Sequence, residues 1–272
     1  MFVDVIKAII LGLVEGFTEF LPVSSTGHLI IVNKWLSFSP SFTAMFDVVI
    51  QLGAILAVII LFWKKLSPFA KDPIQKSTTL NLLNLQIWFK TILAVVPALI
   101  LGVLFADSIE EKLFNPITVA LALVIGGVIL ILIERKQASS SAVFTSAITY
   151  RTAFLIGLFQ CLAMIPGTSR SAATIIGAML LGASRSAAVE FSFFLAIPTI
   201  VAASAYSLLK HGSAMTGSEF VILAVGFMVS FLTAWTVIKF FLKYIQTHDF
   251  KVFGYYRIAL GLLVLSLLHF LF

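Results

Sequence analysis

Six stretches of this chain are each apolar for long enough to cross a bilayer: roughly 43–62, 87–105, 117–133, 188–209, 220–238 and 257–272. A spanning helix needs about 17–25 such residues, so the shorter runs fall near the lower limit. The apolar character is continuous and does not alternate, which predicts helices and excludes a transmembrane barrel. Charge is scarce: 11% of the 272 residues are Asp, Glu, Lys or Arg, against about 25% in a soluble domain. The chain is expected to be an all-α polytopic membrane protein, forming one integral domain over residues 1–272.

Two further apolar regions, about 3–37 and 152–184, are each interrupted midway, at Pro22–His28 and at Pro166–Ser171. Loop charge orients the whole. Loop 63–90 carries Lys64, Lys65, Lys71, Lys76 and Lys90 against Asp72. Loop 134–151 carries Arg135, Lys136 and Arg151 against Glu134, and segment 239–257 carries Lys239, Lys243, Lys251 and Arg257 against Asp249. Segment 106–116 has Lys112 against Asp107, Glu110 and Glu111. Lys and Arg collect on the cytoplasmic side, so the first three go inside and the acidic segment outside. The net charge of +6 therefore reads as a topology signal, not a nucleic-acid footprint. Six spans satisfy this only if each interrupted region enters and leaves on one face. The first opens outward and the second toward the cytoplasm, giving two re-entrant helical hairpins that meet near the midplane. That is the layout of an inverted repeat, approximately 1–133 and 134–272. A weak internal match agrees: Gly16–Ser25 aligns with Gln160–Ser169 at a shift of 144. Asp47 and Glu190 then follow near the start of the next span in each half.

The first interruption carries chemistry. Glu15 and Glu19 share a helical face at i and i+4, and a carboxylate at membrane depth costs about 2.5–3.5 kcal/mol on insertion scales. Pro22 ends the helix, and Ser24, Ser25 and Thr26 offer hydroxyls and a cap for the next one. Gly27 permits close approach to the backbone. A fresh helix N-terminus binds anions, phosphate above all. The second turn, Pro166-Gly167-Thr168-Ser169-Arg170-Ser171, repeats the pattern and adds a guanidinium fork suited to phosphate. The carboxylates can hold Mg²⁺ or Ca²⁺, and His28 is placed to move a proton. Together these point to reaction on a phosphorylated substrate.

Other features carry less. Cys161, the single cysteine, excludes an intramolecular disulfide and a cysteine-based metal cluster, and is expected to pack inertly. No cleavable signal peptide is expected, because Glu15 and Glu19 interrupt the first apolar run. Trp35, Trp63 and Trp88 read as interfacial belts, and Arg185 as a loop cation.

The run Glu15-Gly16-Phe17-Thr18-Glu19-Phe20-Leu21-Pro22-Val23-Ser24-Ser25-Thr26-Gly27-His28 resembles the signature of bacterial undecaprenyl-diphosphatases of the bacitracin-resistance type. Pro166–Ser171 resembles that family's second signature, and the likeness extends over nearly the whole chain. The resemblance implies hydrolysis of undecaprenyl diphosphate to undecaprenyl phosphate and inorganic phosphate, in the bacterial cytoplasmic (inner) membrane, recycling a carrier for wall polymers. It implies that bacitracin competes for the substrate. It implies a divalent cation, Mg²⁺ or Ca²⁺, at Glu15 and Glu19, and catalytic roles for Glu19, Ser25, His28 and Arg170. Ser24, Thr26, Gly27, Ser169, Ser171 and Thr174 match supporting, substrate-binding positions. The attacking group stays open among Ser25, His28 and water, and a homodimer stays open as well. The rival class is a transporter or flippase of polyprenyl phosphate, which would use the same midplane residues.

Overall fold

Both interrupted regions fold as helix–turn–helix pairs. The computed structural model describes residues 1–71, 78–138, 147–211 and 215–271. The first pair is α1 (Phe2–Thr18) and α2 (Ser25–Leu36). Then come α3 (Pro40–Val49), α4 (Gln51–Leu61), the short α5 (Trp63–Leu66), strands β1 (Phe69–Lys71) and β2 (Thr78–Leu80), α6 (Leu82–Leu113) and α7 (Pro116–Ala138). The second pair is α8 (Tyr150–Gln160), continued by a 3-10 turn at Cys161–Met164, and α9 (Arg170–Leu180). The chain closes with α10 (Arg185–His211), α11 (Gly217–Tyr244) and α12 (Lys251–Leu271).

Six segments are long and apolar enough to cross a membrane, and they match the six predicted: Pro40–Leu61, Leu82–Phe105, Pro116–Lys136, Arg185–Lys210, Gly217–Tyr244 and Lys251–Leu268. The first is two helices joined at Ile50. The antiparallel pair of β1 and β2, with Phe69 opposite Leu80, is the only sheet among the described residues and departs from the expected all-α structure. Asp72 and Lys76, counted in the first basic loop, lie outside them.

Small residues let the helices approach. Lipid tails give helices no hydrophobic reason to associate, so close backbone packing does that work. Gly12 and Gly16 of α1 face the backbone of α11: a Cβ would stand 2.7 Å from Gly226 O at the first and 2.5 Å from Ser230 O at the second.

The helices run further than the apolar runs, and this corrects two readings. Segment 239–257 is largely the end of α11 and the start of α12, because charged ends of helices can stay helical while reaching interfacial water. Arg257 therefore lies inside α12 and is fully buried, not in a loop. Arg185 is no free loop cation either. Its Nε and Nη2 donate to Glu134, a carboxylate with no exposed surface. Trp35 and Trp63 are exposed as belt residues would be, whereas Trp88 is half-buried and donates Nε1–H to Leu66 O.

Candidate active site

The local chemistry of the first turn sets the site. Glu19 continues the geometry of α1, its N–H donating to Glu15 O at 2.9 Å, so both carboxylates do share one face. Pro22 lacks an N–H and biases Leu21 away from helical geometry, and the helix stops. Ser24 then caps α2 with φ +72°, its Oγ accepting from Gly27 N at 3.2 Å. Ser169 caps α9 with φ +73°, its Oγ accepting from Ala172 N at 3.2 Å. These are the only non-glycine residues with positive φ among those described. Such a conformation costs about 1–3 kcal/mol per residue and persists only where the surroundings impose it. The matched caps are 145 residues apart, one more than the sequence alignment gives, because the second turn is a residue longer.

The two turns are joined by a chain of polar contacts. Ser25 Oγ donates to Glu19 Oε2 at 2.6 Å. Glu19 Oε1 accepts from Arg170 Nη2 at 3.0 Å, in an ion pair whose side chains are 6% and 11% exposed. Arg170 Nη1 donates to Ser192 O at 3.0 Å, and its Nε is buried without a partner. Ser171 Oγ crosses to Leu21 O at 2.8 Å. Thr174 Oγ1 braces Arg170 O at 2.9 Å and meets Ser192 Oγ at 2.7 Å. A hydroxyl hydrogen-bonded to a carboxylate, beside a guanidinium with a free N–H, can lose its proton to the carboxylate while an anion docks on the guanidinium.

The two turns face a cavity of about 480 Å³. Glu19, Ser24, Ser25, Thr26, Ser169 and Arg170 line its polar end, and α6 and α10 form apolar walls that run out to Asp107 and Phe114. The other expected site residues are not in that lining. Gly27 packs on α7, where a Cβ would stand 3.5 Å from Val119 Cγ1. Ser171 and Thr174 brace the turns as described. Glu15 is fully buried, and neither of its carboxylate oxygens has a hydrogen-bond partner.

His28 is held elsewhere. Its Nδ1 lies 2.7 Å from Ser24 O, so Nδ1 carries the proton, since a carbonyl only accepts. Its Nε2 then accepts from Tyr256 Oη at 2.7 Å. Asp47 accepts from Asn33 Nδ2 at 2.5 Å, and Glu190 pairs with Lys65 at 2.6 Å. The two acids that followed the repeat thus have unrelated partners.

Sequence reasoning missed Gln160, Ser192, Tyr256 and Arg257. Gln160 is buried and lines the cavity, its Oε1 accepting from Thr199 at 3.2 Å and its Nε2 left free. A lone amide in an apolar run was a usable signal for it. Ser192 and Tyr256 carried none, since a hydroxyl in a membrane helix is ordinary.

Fold and site together define a multi-pass helical membrane protein with a buried hydroxyl–carboxylate–guanidinium chain at two broken helices. The family described as bacitracin resistance protein BacA matches residues 8–263, and the chain belongs to it. It is 54% identical over 267 residues to undecaprenyl-diphosphatase 1 of Clostridioides difficile (strain 630), covering 97% of this chain and 96% of that one. It is 49% identical over 273 residues to the undecaprenyl-diphosphatase of Enterococcus faecalis, covering 97% of both chains.

Proposed function

We propose that this chain hydrolyses undecaprenyl diphosphate to undecaprenyl phosphate and inorganic phosphate, and so recycles the lipid carrier for cell-wall synthesis. The observation that carries the reading is the Ser25–Glu19–Arg170 chain at the end of a cavity with apolar walls. Membership of the family and the names of its relatives favour hydrolysis over transport of the same lipid.

The residues divide the work as follows. Arg170 and the N–H groups at the starts of α2 and α9 bind the phosphates. Ser25 Oγ attacks the terminal phosphorus as its proton passes to Glu19. The bond from that phosphorus to the bridging oxygen breaks, and undecaprenyl phosphate leaves. Water then cleaves the phosphoserine to release phosphate. His28, bound to Ser24 O, holds the first turn; its contacts support positioning more than proton transfer. Gln160 Nε2 adds a free donor.

The donor set fits a hard cation. Glu15 has two buried oxygens without partners, and Mg²⁺ or Ca²⁺ takes one or two carboxylates, completing its shell with phosphate and water oxygens. Among the described residues no three His, Cys, Asp or Glu side chains converge as a metal cage, so Glu15 and Glu19 would hold the cation together with substrate and water oxygens. A bound cation would neutralise phosphate charge.

The contacts support two re-entrant hairpins in an inverted repeat. Helix α1 packs on α11 as α8 packs on α6, and α4 packs on α11 as α10 packs on α6. Each contact thus recurs with the halves exchanged. Leu99, Val103 and Tyr206 along the cavity are 45%, 86% and 57% exposed, so its wall opens toward lipid and admits a prenyl chain. The cavity lining extends to Asp107 in the acidic segment, which supports access of the headgroup from the outer face of the cytoplasmic membrane. Bacitracin, by sequestering the diphosphate, would compete there.

Purified full-length protein in detergent, given polyprenyl diphosphate and Mg²⁺ or Ca²⁺, is expected to release phosphate. No phosphate release, with labelled polyprenyl phosphate moving across vesicles, would replace the reading with a flippase.

A further inference from the structure

Among the described residues Arg257 is the largest fully buried side chain, and its guanidinium has no carboxylate partner there. It is surrounded by backbone carbonyls instead. Nη1 donates to Pro22 O at 3.2 Å, and Nη2 to Gly167 O and Ala122 O, both at 3.1 Å. Nε reaches Leu123 O at a longer 3.4 Å. A buried cation held only by neutral carbonyls is an unusual way to satisfy a charge, because an acid partner would offset its desolvation better. The identity of the carbonyls explains it. Pro22 lies two residues before Ser24, the cap of α2, and Gly167 lies two residues before Ser169, the cap of α9. One planar fork on α12 therefore grips the same position of both turns.

Space has been made for this fork. Gly126 of α7 has no side chain, and a Cβ there would stand 2.3 Å from Nη2 of Arg257. The next residue, Gly127, would meet Gly254 O at 2.6 Å, which brings α12 close enough to α7 for the guanidinium to reach. Arginine suits the task and lysine does not: its fork presents several N–H groups in fixed directions, whereas an ammonium is a single point of charge.

We propose that Arg257 is a positioning residue that sets the spacing between the two turns, and so holds Ser25 and Glu19 of one against Arg170 of the other. It touches no cavity surface and acts through those residues. Both strained caps, Ser24 and Ser169, are pinned from the carbonyl two residues upstream, and the ion pair between Glu19 and Arg170 spans the distance that results. This inference rests on the phosphatase reading above.

Turnover of a polyprenyl diphosphate by purified full-length protein tests it, with thermal unfolding measured alongside. Arg257→Gln is expected to lower kcat about a hundredfold, the scale of a misplaced reacting group, with KM little changed. Arg257→Lys is expected to lose as much; full turnover in that variant would show that charge alone suffices and would overturn the clamp. Gly126→Ala displaces the guanidinium while keeping Arg257, and is expected to give the same split between kcat and KM even if Arg257→Gln fails to fold. Adding Arg257→Gln or Gly126→Ala to Arg170→Ala is expected to cost no further kcat. An undiminished second loss would make Arg257 a general support and sink the proposal. Normal kcat in Gly126→Ala and Arg257→Gln, with an active wild type, also overturns it. A wild type that releases no phosphate instead refutes the phosphatase reading itself, and the clamp's catalytic meaning with it.

Discussion

Tyr256 Oη lies 2.7 Å from Nε2 of His28, joining the last helix to the first turn across 228 residues of sequence. The bond fixes the imidazole with Nδ1–H on Ser24 O, so tyrosine and carbonyl together choose one tautomer. Tyr256→Phe removes one neutral hydrogen bond, worth about 1 kcal/mol. It is expected to lower kcat/KM about fivefold, a smaller loss than in His28→Ala, where both contacts go. Steady-state phosphate release from the two variants checks the order; an unaffected Tyr256→Phe would make the contact idle.

The pair of Glu19 and Arg170 separates stability from function. Each is nearly buried, and removing one partner leaves the other charge uncompensated, at a cost of about 3–5 kcal/mol. Glu19→Gln and Arg170→Gln are each expected to unfold at lower temperature and to lose at least about a hundredfold in kcat. The double variant is expected to regain much of the stability and none of the turnover. Thermal unfolding in detergent beside phosphate release gives both readings. Recovery of activity in the double variant would mean that the pair is only structural.

Cation binding has a readout apart from turnover. Glu15 carries two buried oxygens with no partner, so a cation that binds there stabilises the folded state. At a hundred times its dissociation constant the gain is about 2.7 kcal/mol. Mg²⁺ or Ca²⁺ is expected to raise the unfolding temperature of the wild type and not that of Glu15→Gln. Chelation is expected to stop turnover. An equal thermal response in both proteins would remove Glu15 as a ligand.

These side chains differ in how visible they were before the fold was known. The six spans were legible because hydrocarbon thickness sets a length that continuous apolar runs must meet, and Glu15, Glu19 and Arg170 stood out because charge is costly there. Arg257 was hidden by the same logic. It lies in α12 only six residues after Lys251, the first residue of that helix, so counting loop charge placed it in water. Its real environment depends on Gly126 and Gly127, more than a hundred residues earlier, and no local pattern links them. The pairing of His28 with Tyr256 is likewise a product of tertiary packing. The one-residue error in aligning the turns has a local cause: the prolines were matched, whereas the backbone matches the serines at positive φ.

Close helix contacts predict which glycines the fold requires. At Gly157 of α8 a Cβ would stand 2.1 Å from Ala94 O of α6, so alanine must push two helices apart. Gly157→Ala is expected to cost about 1–3 kcal/mol, as overpacking does, and to disturb Gln160 one turn later. At Gly102 a Cβ would meet nothing within 4 Å. Gly102→Ala is expected to be neutral, or to add up to about 1 kcal/mol through helix propensity. Thermal unfolding of both variants tests the contrast, and equal behaviour would mean that the α6–α8 contact yields easily.

Glu134 ties three helices at the basic end of the bundle. Its Oε1 accepts from Arg185 Nε at 3.0 Å and from Phe250 N at 3.1 Å, and its Oε2 accepts from Arg185 Nη2 at 2.5 Å. The carboxylate thus links the end of α7, the start of α10 and the turn before α12. Glu134→Leu leaves Arg185 without its buried partner and strands the Phe250 N–H, and is expected to cost about 3–5 kcal/mol. Arg185→Met has the opposite fault, an isolated buried carboxylate. The double variant Glu134→Leu with Arg185→Met is expected to recover most of the loss, since an apolar pair is no worse than a buried ion pair. Recovery stops short by about 1–3 kcal/mol, the cost of the stranded amide. Unfolding measured over the cycle of four proteins checks this; a double variant as unstable as the sum of the singles would show that the pair contributes through packing rather than charge.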